Sequence, residues 1–283
     1  MQTPNLAATL LEPLSRVART EVVSYLSRRP YENAFLQWVV EGGLGMSTAY
    51  ESVVVWRSYN RLVGGVAFFG PQITFAADDV AAIDAFAIEA RERAIARMIV
   101  GPRYITNHFW ARVKSWYRKP SLVRASQPIY ALDHSPSGRD DVAVRQARAS
   151  DLEIVAANSA EMMIGELGYD PREHRTNFMH GISRLIERGW WWVWIENGEL
   201  LFQCNIGSKT ARTAQVQGVW TPPQQRGQGH ATKAMRAICR RLLNDVPTLS
   251  LYVNDFNEKA IELYKRVGFE RVGEFSTLLF NEP

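Results

Sequence analysis

At 283 residues the chain has room for two domains of ordinary size, or for one large one. Hydrophobic residues at 46% and charged residues at 22% are those of an ordinary globular chain, and no run of about eighteen apolar residues marks a membrane span. The net charge of +4 lies in the first half: Lys+Arg against Asp+Glu is 16 to 12 over residues 1–140, a difference of +4, and 17 to 17 over residues 141–283, a difference of zero. The surplus includes Arg112, Lys114, Arg118, Lys119 and Arg124, scattered over a helix and a loop. Such spacing reads as a solvated face, so nucleic acid is not an expected partner. The N-terminus MQTPNLAATLLEPLSRVART lacks a basic n-region, an apolar core and a small-residue cleavage site, so no signal peptide is expected. Cys204 and Cys239 fit reduced buried thiols better than a disulfide framework or a metal site. A cytoplasmic, metal-free protein is the expectation.

In chain order, a helix is predicted over Arg16–Ser27, then strand Ser52–Ser58, a turn at Tyr59-Asn60-Arg61 and strand Leu62–Phe69. A short strand near Gln72–Phe75 precedes helix Asp79–Ala96, strand Arg97–Val100, helix Tyr104–Trp116 and strand Pro128–Leu132. The polar segment Asp133–Asp140, with Pro, Gly and Ser, is the candidate boundary between residues 1–135 and 141–283. Beyond it, Val142–Gln146 reads as a short strand and Ala149–Leu167 as mostly helix, ending near Gly168. Strands Trp190–Glu196 and Glu199–Ile206 flank Asn197-Gly198, a two-residue hairpin signal because both positions need positive φ. Strand Thr213–Trp220 runs into Thr221-Pro222-Pro223. A helix from about Gly229 to Asn244 follows, with Ala231, Ala234, Met235, Ile238, Cys239, Leu242 and Leu243 at helical period. Strand Leu249–Val253, helix Glu258–Arg266 closed by Gly268, and strand Glu270–Phe280 complete the chain. The halves share an element order, which suggests internal duplication and a mixed α/β fold in each, built on a mostly antiparallel central sheet flanked by helices.

The loop Gln225-Arg226-Gly227-Gln228-Gly229-His230-Ala231 lies between a strand and a helix. A helix start presents N–H groups and the positive end of the helix dipole, and the two glycines allow an anion close to the backbone. A Walker A loop needs G-x-x-x-x-G-K-[ST], which is missing; a dinucleotide fingerprint needs a third glycine where Thr232 stands. The antiparallel hairpin upstream also disfavours a parallel dinucleotide-binding sheet. A glycine-rich helix start with no ligand remains the plain alternative.

The wider pattern resembles the GCN5-related N-acetyltransferase (GNAT) family. Arg226-Gly-Gln-Gly229-His-Ala231 meets [QR]-x-x-G-x-[GA], with Gly218-Val-Trp-Thr-Pro-Pro223 before it. After it comes Asn257-x-x-Ala260-x-x-x-Tyr264-x-x-x-Gly268-Phe269. The resemblance implies two tandem GNAT-like domains, 1–135 degenerate and 141–283 binding acetyl-CoA, with direct acetyl transfer to an amine acceptor in a ternary complex. It implies that backbone groups of Val219 and Thr221, where the strand splays at a bulge, hold the acyl carbonyl and pantetheine arm. The amides of Arg226, Gly227, Gln228, Gly229, His230 and Ala231 would cradle the pyrophosphate. Asn257 would contact the cofactor arm, and Tyr264 would protonate the leaving thiolate.

Aminolysis of a thioester needs a neutral amine, support for an oxyanion, and a proton for sulfur, which a phenol of pKa about 10 can supply. Tyr264 also sits at helical spacing from Ala260 and Ile261, as a core tyrosine would, and Asn257 can equally cap a helix. For the acceptor base, the strand before the loop offers Gln215 and Gln217 and no carboxylate. Glu161, Glu166 and Asp170 are candidates on or after the first long helix of this half, Glu166 first, against the alternative of a solvated helix end. His174, His180 and His230 are further candidates with no metal-site spacing, and Trp190, Trp191 and Trp192 are either acceptor-pocket material or alternate between core and surface. In the first half the corresponding loop, Phe75-Ala-Ala-Asp-Asp79, has no glycine and two acids that suit a helix cap and would repel a diphosphate. One cofactor site per chain is therefore expected. The acceptor would be a small-molecule or peptide amine, and a non-enzymatic CoA-binding sensor is the rival class.

Overall fold

The computed structural model describes residues 11–138 and 142–280. The first ten residues, read above for a targeting segment, and residues 139–141 of the polar boundary segment lie outside the described residues. The chain forms two compact units. The first comprises the described residues through Tyr130, Tyr252–Glu258 and the described residues from Arg271; the second comprises Ala131–Leu251 and Lys259–Glu270.

In the first unit, strands run in the order β1 (Leu11–Pro13), β2 (Val53–Arg57), β3 (Val63–Phe69), β4 (Gln72–Ala77), β5 (Met98–Pro102), β12 (Glu270–Leu279) and β6 (Leu122–Leu132). The first four form an antiparallel meander, whereas β4 and β5 are parallel, as a crossover through α4 (Val80–Glu89) requires. Strand β12 pairs antiparallel with β5, Phe275 opposite Pro102 through Leu279 opposite Met98. The core gathers Trp56, Ile73, Phe75, Phe86, Ile99 and Phe109, and Leu278 and Phe280 from the far end of the chain complete it. Helices α1 (Arg19–Leu26), α2 (Pro30–Val40), α3 (Met46–Ser52) and α5 (Arg103–Val113) belong here too. Helices α2 and α3 are not among the elements expected from the sequence. Pro30 at the first helical position was the available start signal for α2.

The second unit repeats the scheme with β7 (Arg145–Gln146), β8 (Trp191–Glu196), β9 (Glu199–Lys209), β10 (Thr213–Trp220) and β11 (Thr248–Tyr252) side by side. All pairings are antiparallel except β10 with β11, joined through α8 (His230–Leu242). Asn197 and Gly198 take φ of 51° and 79°, the two-residue hairpin their identities predicted. Helix α6 (Leu152–Leu167) ends at Gly168 with φ 75°. Helix α7 (Arg175–Glu187) was not predicted, because Thr176, Asn177, His180 and Gly181 are weak helix formers and only Ile182 and Ile186 are buried. The strand expected from Val142 is confined to Arg145–Gln146: the Val144 N–H folds back onto the Val142 carbonyl, and a residue bonded to its own neighbour cannot join a ladder. Val155, Ala156, Ile182, Ile186, Trp191 and Val193 form the core between α6, α7 and the sheet. Helix α9 (Glu258–Val267) closes the unit, Tyr264 and Val267 buried on its inner side.

Candidate functional site

The site is built around the end of β10. The parallel ladder with β11 covers only Thr213↔Thr248, Ala214↔Leu249 and Gln215↔Ser250, yet β10 runs on to Trp220. Its last five residues thus leave main-chain groups facing an opening instead of a neighbour, the splay that the resemblance implies. On the other edge the register with β9 jumps from Gln217↔Asn205 to Trp220↔Gln203, so Gly218 and Val219 together oppose one residue. This is a bulge, and its first member takes φ +59°. A Cβ on Gly218 would lie 2.3 Å from Asn205 Oδ1, so the amide of Asn205 fills the space that the missing side chain leaves. Asn205 was not singled out in the sequence. The signal was there, because Gln203, Asn205 and Gly207 alternate with Phe202, Cys204 and Ile206 along a buried strand.

The loop after β10 turns through Pro223–Gln225 and enters α8 with Gly227 at φ +78° and Gly229 at φ +80°. At neither glycine does a notional Cβ meet an atom within 4 Å, so the glycines are required by backbone conformation, and the space above them is open. Turn and cap bonds use the N–H groups of Gln225, Arg226 and Lys233. The first turn of α8 leaves its own N–H groups without intrahelical acceptors, as any helix start does. The Arg226 guanidinium lies 4.7 Å from the Trp220 ring centroid, and its Nε donates to the Thr221 carbonyl at 3.0 Å. These contacts pin one side of the loop; Gln225 Nε2 donating to Glu199 at 3.1 Å pins the other. His230 stands edge-on to Trp194 with ring centroids 5.0 Å apart. The residues present therefore fit a diphosphate: open approach, unused N–H donors and a cation.

Tyr264 is 6% exposed, in the last turn of α9. Its carbonyl accepts from both Gly268 and Phe269, at 3.1 and 2.9 Å, which fixes the main chain from which the ring projects. Burial pushes the phenol well above its ordinary pKa, reinforced by Cys204, Glu166 and Cys239. The structure therefore brings Glu166 and Tyr264 into electrostatic reach of one another, although Glu166 is exposed near the end of α6. Glu161 and Asp170 both engage Arg172, at 3.5 and 2.7 Å. Burial also raises both thiols, leaving Cys204 and Cys239 poor nucleophiles.

On the sheet face toward α6, beside the apolar Trp191 and Val193, the polar side chains of β9 and β10 that hydrogen-bond are uncharged amides. Gln203 donates to Ser159 at 3.0 Å, and Gln217 donates to Gln215 at 3.1 Å. Trp191 lies in the core on this face, whereas Trp192 stacks near Arg241, so the tryptophans alternate across the strand. Asn257 belongs to the first unit, where its N–H donates to the Asn254 carbonyl at 3.0 Å. In the first unit's counterpart loop, Asp79 caps α4 by accepting from Ala81 N at 2.9 Å, and Asp78 pairs with Arg28 at 2.7 Å. Both acids act within the fold there. Among the described residues no group of three or more His, Cys, Asp or Glu is placed to hold a metal ion, and no helix is long and apolar enough to cross a membrane.

Residues 154–269 match the family model "Acetyltransferase (GNAT) family", and residues 54–155 match a domain of unknown function, DUF4081. No curated protein gives a significant match. Among solved structures, a GNAT-family acetyltransferase from Colwellia psychrerythraea is similar at 11% identity and TM-score 0.56, over 96% of this chain and 99% of that one. A Drosophila protein is similar at 13% identity and TM-score 0.64, over 96% and 99%. A tandem GNAT protein from the clavulanic acid biosynthesis pathway is similar at 13% identity and TM-score 0.53, again over 96% and 99%. At these identities the likeness is one of fold, and it spans both halves of the chain.

Proposed function

We propose that the second unit, in a chain whose residues 154–269 match the GNAT acetyltransferase family model, transfers an acetyl group from acetyl-CoA directly to an amine acceptor. The observation that carries this reading is the splayed, bulged end of β10 running into the open glycine loop. Acetyl-CoA supplies an activated acyl carbon and a thiolate leaving group. The loop amides from Gly227 to Ala231 take the diphosphate, with the Arg226 side chain as the neighbouring cation, its own N–H being held by the Pro223 carbonyl. Main-chain groups at Val219 and Thr221, left over where β10 parts from β11, orient the pantetheine arm and polarise the acyl carbonyl. Tyr264 holds its proton through the neutral range, because burial disfavours the phenolate, and gives or shares it with the departing sulfur. Glu166 is the proposed acceptor of the amine proton, consistent with its reach to Tyr264. The first unit, with Asp78 and Asp79 at its counterpart loop, takes no diphosphate there, so one acetyl-CoA binds per chain.

A second reading, a CoA-binding sensor without turnover, is favoured by one observation, the uncharged face of β9 and β10 toward α6. Free-thiol release from acetyl-CoA with a panel of amines separates the two. The enzyme reading expects release above hydrolysis, a fall in kcat of about 10²-fold in Tyr264→Phe, and no alkaline loss of rate from Tyr264 below pH about 10. Tight binding of acetyl-CoA with no turnover on any amine would leave the sensor.

A further inference from the structure

The first unit keeps the splay that the second unit uses, but fills it differently. Strands β4 and β5 are paired in parallel only at Gln72↔Met98 and Ile73↔Ile99, yet continue to Ala77 and Pro102. Between their diverging ends lies a cavity of about 90 Å³. Its floor is apolar, made by Ala76, Ala77, Pro102 and Ile105; its rim carries Arg28, Arg29, Glu32 and Asp78.

The four charges at this rim are not equally satisfied. Arg28 is committed: its Nη2 meets Asp78 at 2.7 Å, its Nε donates to the Tyr25 carbonyl at 3.2 Å, and its guanidinium covers the Tyr25 ring at 4.3 Å. Tyr25 in turn donates its hydroxyl to the Gly64 carbonyl at 3.0 Å. Arg29 and Glu32 are different. Arg29 reaches Glu32 only at 3.8 Å and Asp78 only at 4.0 Å, both beyond hydrogen-bonding distance, and its side chain is 58% exposed. The Glu32 side chain is 22% exposed and has that same distant contact as its ion pair; burial holds its carboxyl above the usual range against the pull of Arg29. A donor fork and a half-buried carboxylate thus stand at one rim, close enough to attract each other and too far apart to satisfy each other.

We propose that this cavity is a binding site for a small zwitterion, an α-amino acid of about glycine size, with its carboxylate on Arg29 and its ammonium on Glu32. Such a ligand gives each group the charge-assisted hydrogen bonds that their own separation denies them. The volume sets the size: a cavity of 150 Å³ holds the six non-hydrogen atoms of benzene, so about 90 Å³ takes roughly four, close to the size of glycine. A simple anion satisfies Arg29 and leaves Glu32 facing a like charge, whereas a simple cation does the reverse. This site is separate from the proposed acetyl-transfer site and does not depend on it.

Calorimetric titration of the full chain with glycine, alanine, acetate, methylammonium and phenylalanine tests the proposal. Glycine should bind one per chain, alanine no more tightly than glycine, acetate and methylammonium about tenfold or more weaker than glycine, and phenylalanine not at all. Arg29→Gln and Glu32→Gln should each weaken glycine about tenfold while circular dichroism and melting stay those of the parent. Tyr264→Phe should leave this binding unchanged, whatever it does to acetyl transfer. Absence of heat from glycine at about 10 mM overturns the proposal. So does acetate binding as tightly as glycine, which marks a plain anion site, or glycine affinity indifferent to both substitutions.

Discussion

Asp151 and Tyr264 are both largely buried ionisable groups, and the fold treats them in opposite ways. Asp151 accepts two bonds from the Arg145 guanidinium, at 2.6 and 3.0 Å, and one from the Arg148 N–H at 2.7 Å. The Arg145 hydrogen bonds first, and the backbone donor after them, hold its carboxyl below the ordinary 3.8. A lowered folded pKa gives stability that is present above the ordinary value and disappears as pH falls through the folded one. The unit should therefore lose stability below pH 3.8, and Asp151→Asn should both cost about 2 kcal/mol at neutral pH and flatten that acid limb. Urea melts of parent and variant at pH 7 and pH 3 check this; equal acid slopes in the two proteins would remove Asp151 from the account. Tyr264 runs the other way. Its raised pKa keeps it neutral, so its linkage to stability begins only near pH 10 and falls outside the working range. One group is stored charged to hold α6 in place; the other is stored neutral.

At the scale of elements, three glycines separate conformation from contact. Gly227 and Gly229 have positive φ and open space, so alanine there costs only the left-handed backbone, about 1 kcal/mol each. Gly218 has positive φ and Asn205 Oδ1 2.3 Å from its missing Cβ, so alanine there also drives the amide out of the bulge, at about 2 kcal/mol or more. Urea melts should rank Gly218→Ala well below the loop variants, while acetyl-CoA titration should show all three weakened. Equal stability costs would mean that Asn205 moves aside freely. The same elements show what a sequence can disclose. The period of Ala234, Met235, Ile238 and Cys239 marked α8, and Asn197-Gly198 marked the hairpin, because local chemistry decides both. The loop between β10 and α8 was legible for the same reason. The fit of Asn205 beneath Gly218 depends on the cross-strand register, and the reach of Glu166 to Tyr264 depends on how α6 and α9 are placed; neither follows from spacing along the chain.

At the scale of the molecule, the first unit is completed by the last strand of the chain. Glu270–Phe280 was readable as a strand, but alternation and apolar content do not name a partner, and only the fold shows β12 beside β5 with Leu278 and Phe280 in the first unit's core. Phe280 packs 5.9 Å from Trp110 and 5.1 Å from Tyr117 by ring centroids, and its N–H donates to the Arg97 carbonyl. A fragment of residues 1–140 therefore lacks one interior strand of its sheet, leaving the ladder edge of β5 and an apolar surface open to solvent. Open edges of that kind aggregate. The expected result is that 1–140 produced alone is insoluble or lacks cooperative melting, and that a chain ending at residue 270 behaves no better. Adding 141–283 to refolding 1–140 should restore a single cooperative transition, because β12 can be supplied in trans. If instead 1–140 alone melts cooperatively at the temperature of the full chain, β12 adds nothing to that unit and the pairing with β5 is dispensable. The expectation also bears on the small cavity between β4 and β5, since its wall residue Pro102 is the β5 residue opposite Phe275. Any ligand that binds there should raise the melting temperature of the full chain and do nothing for the fragment that lacks β12.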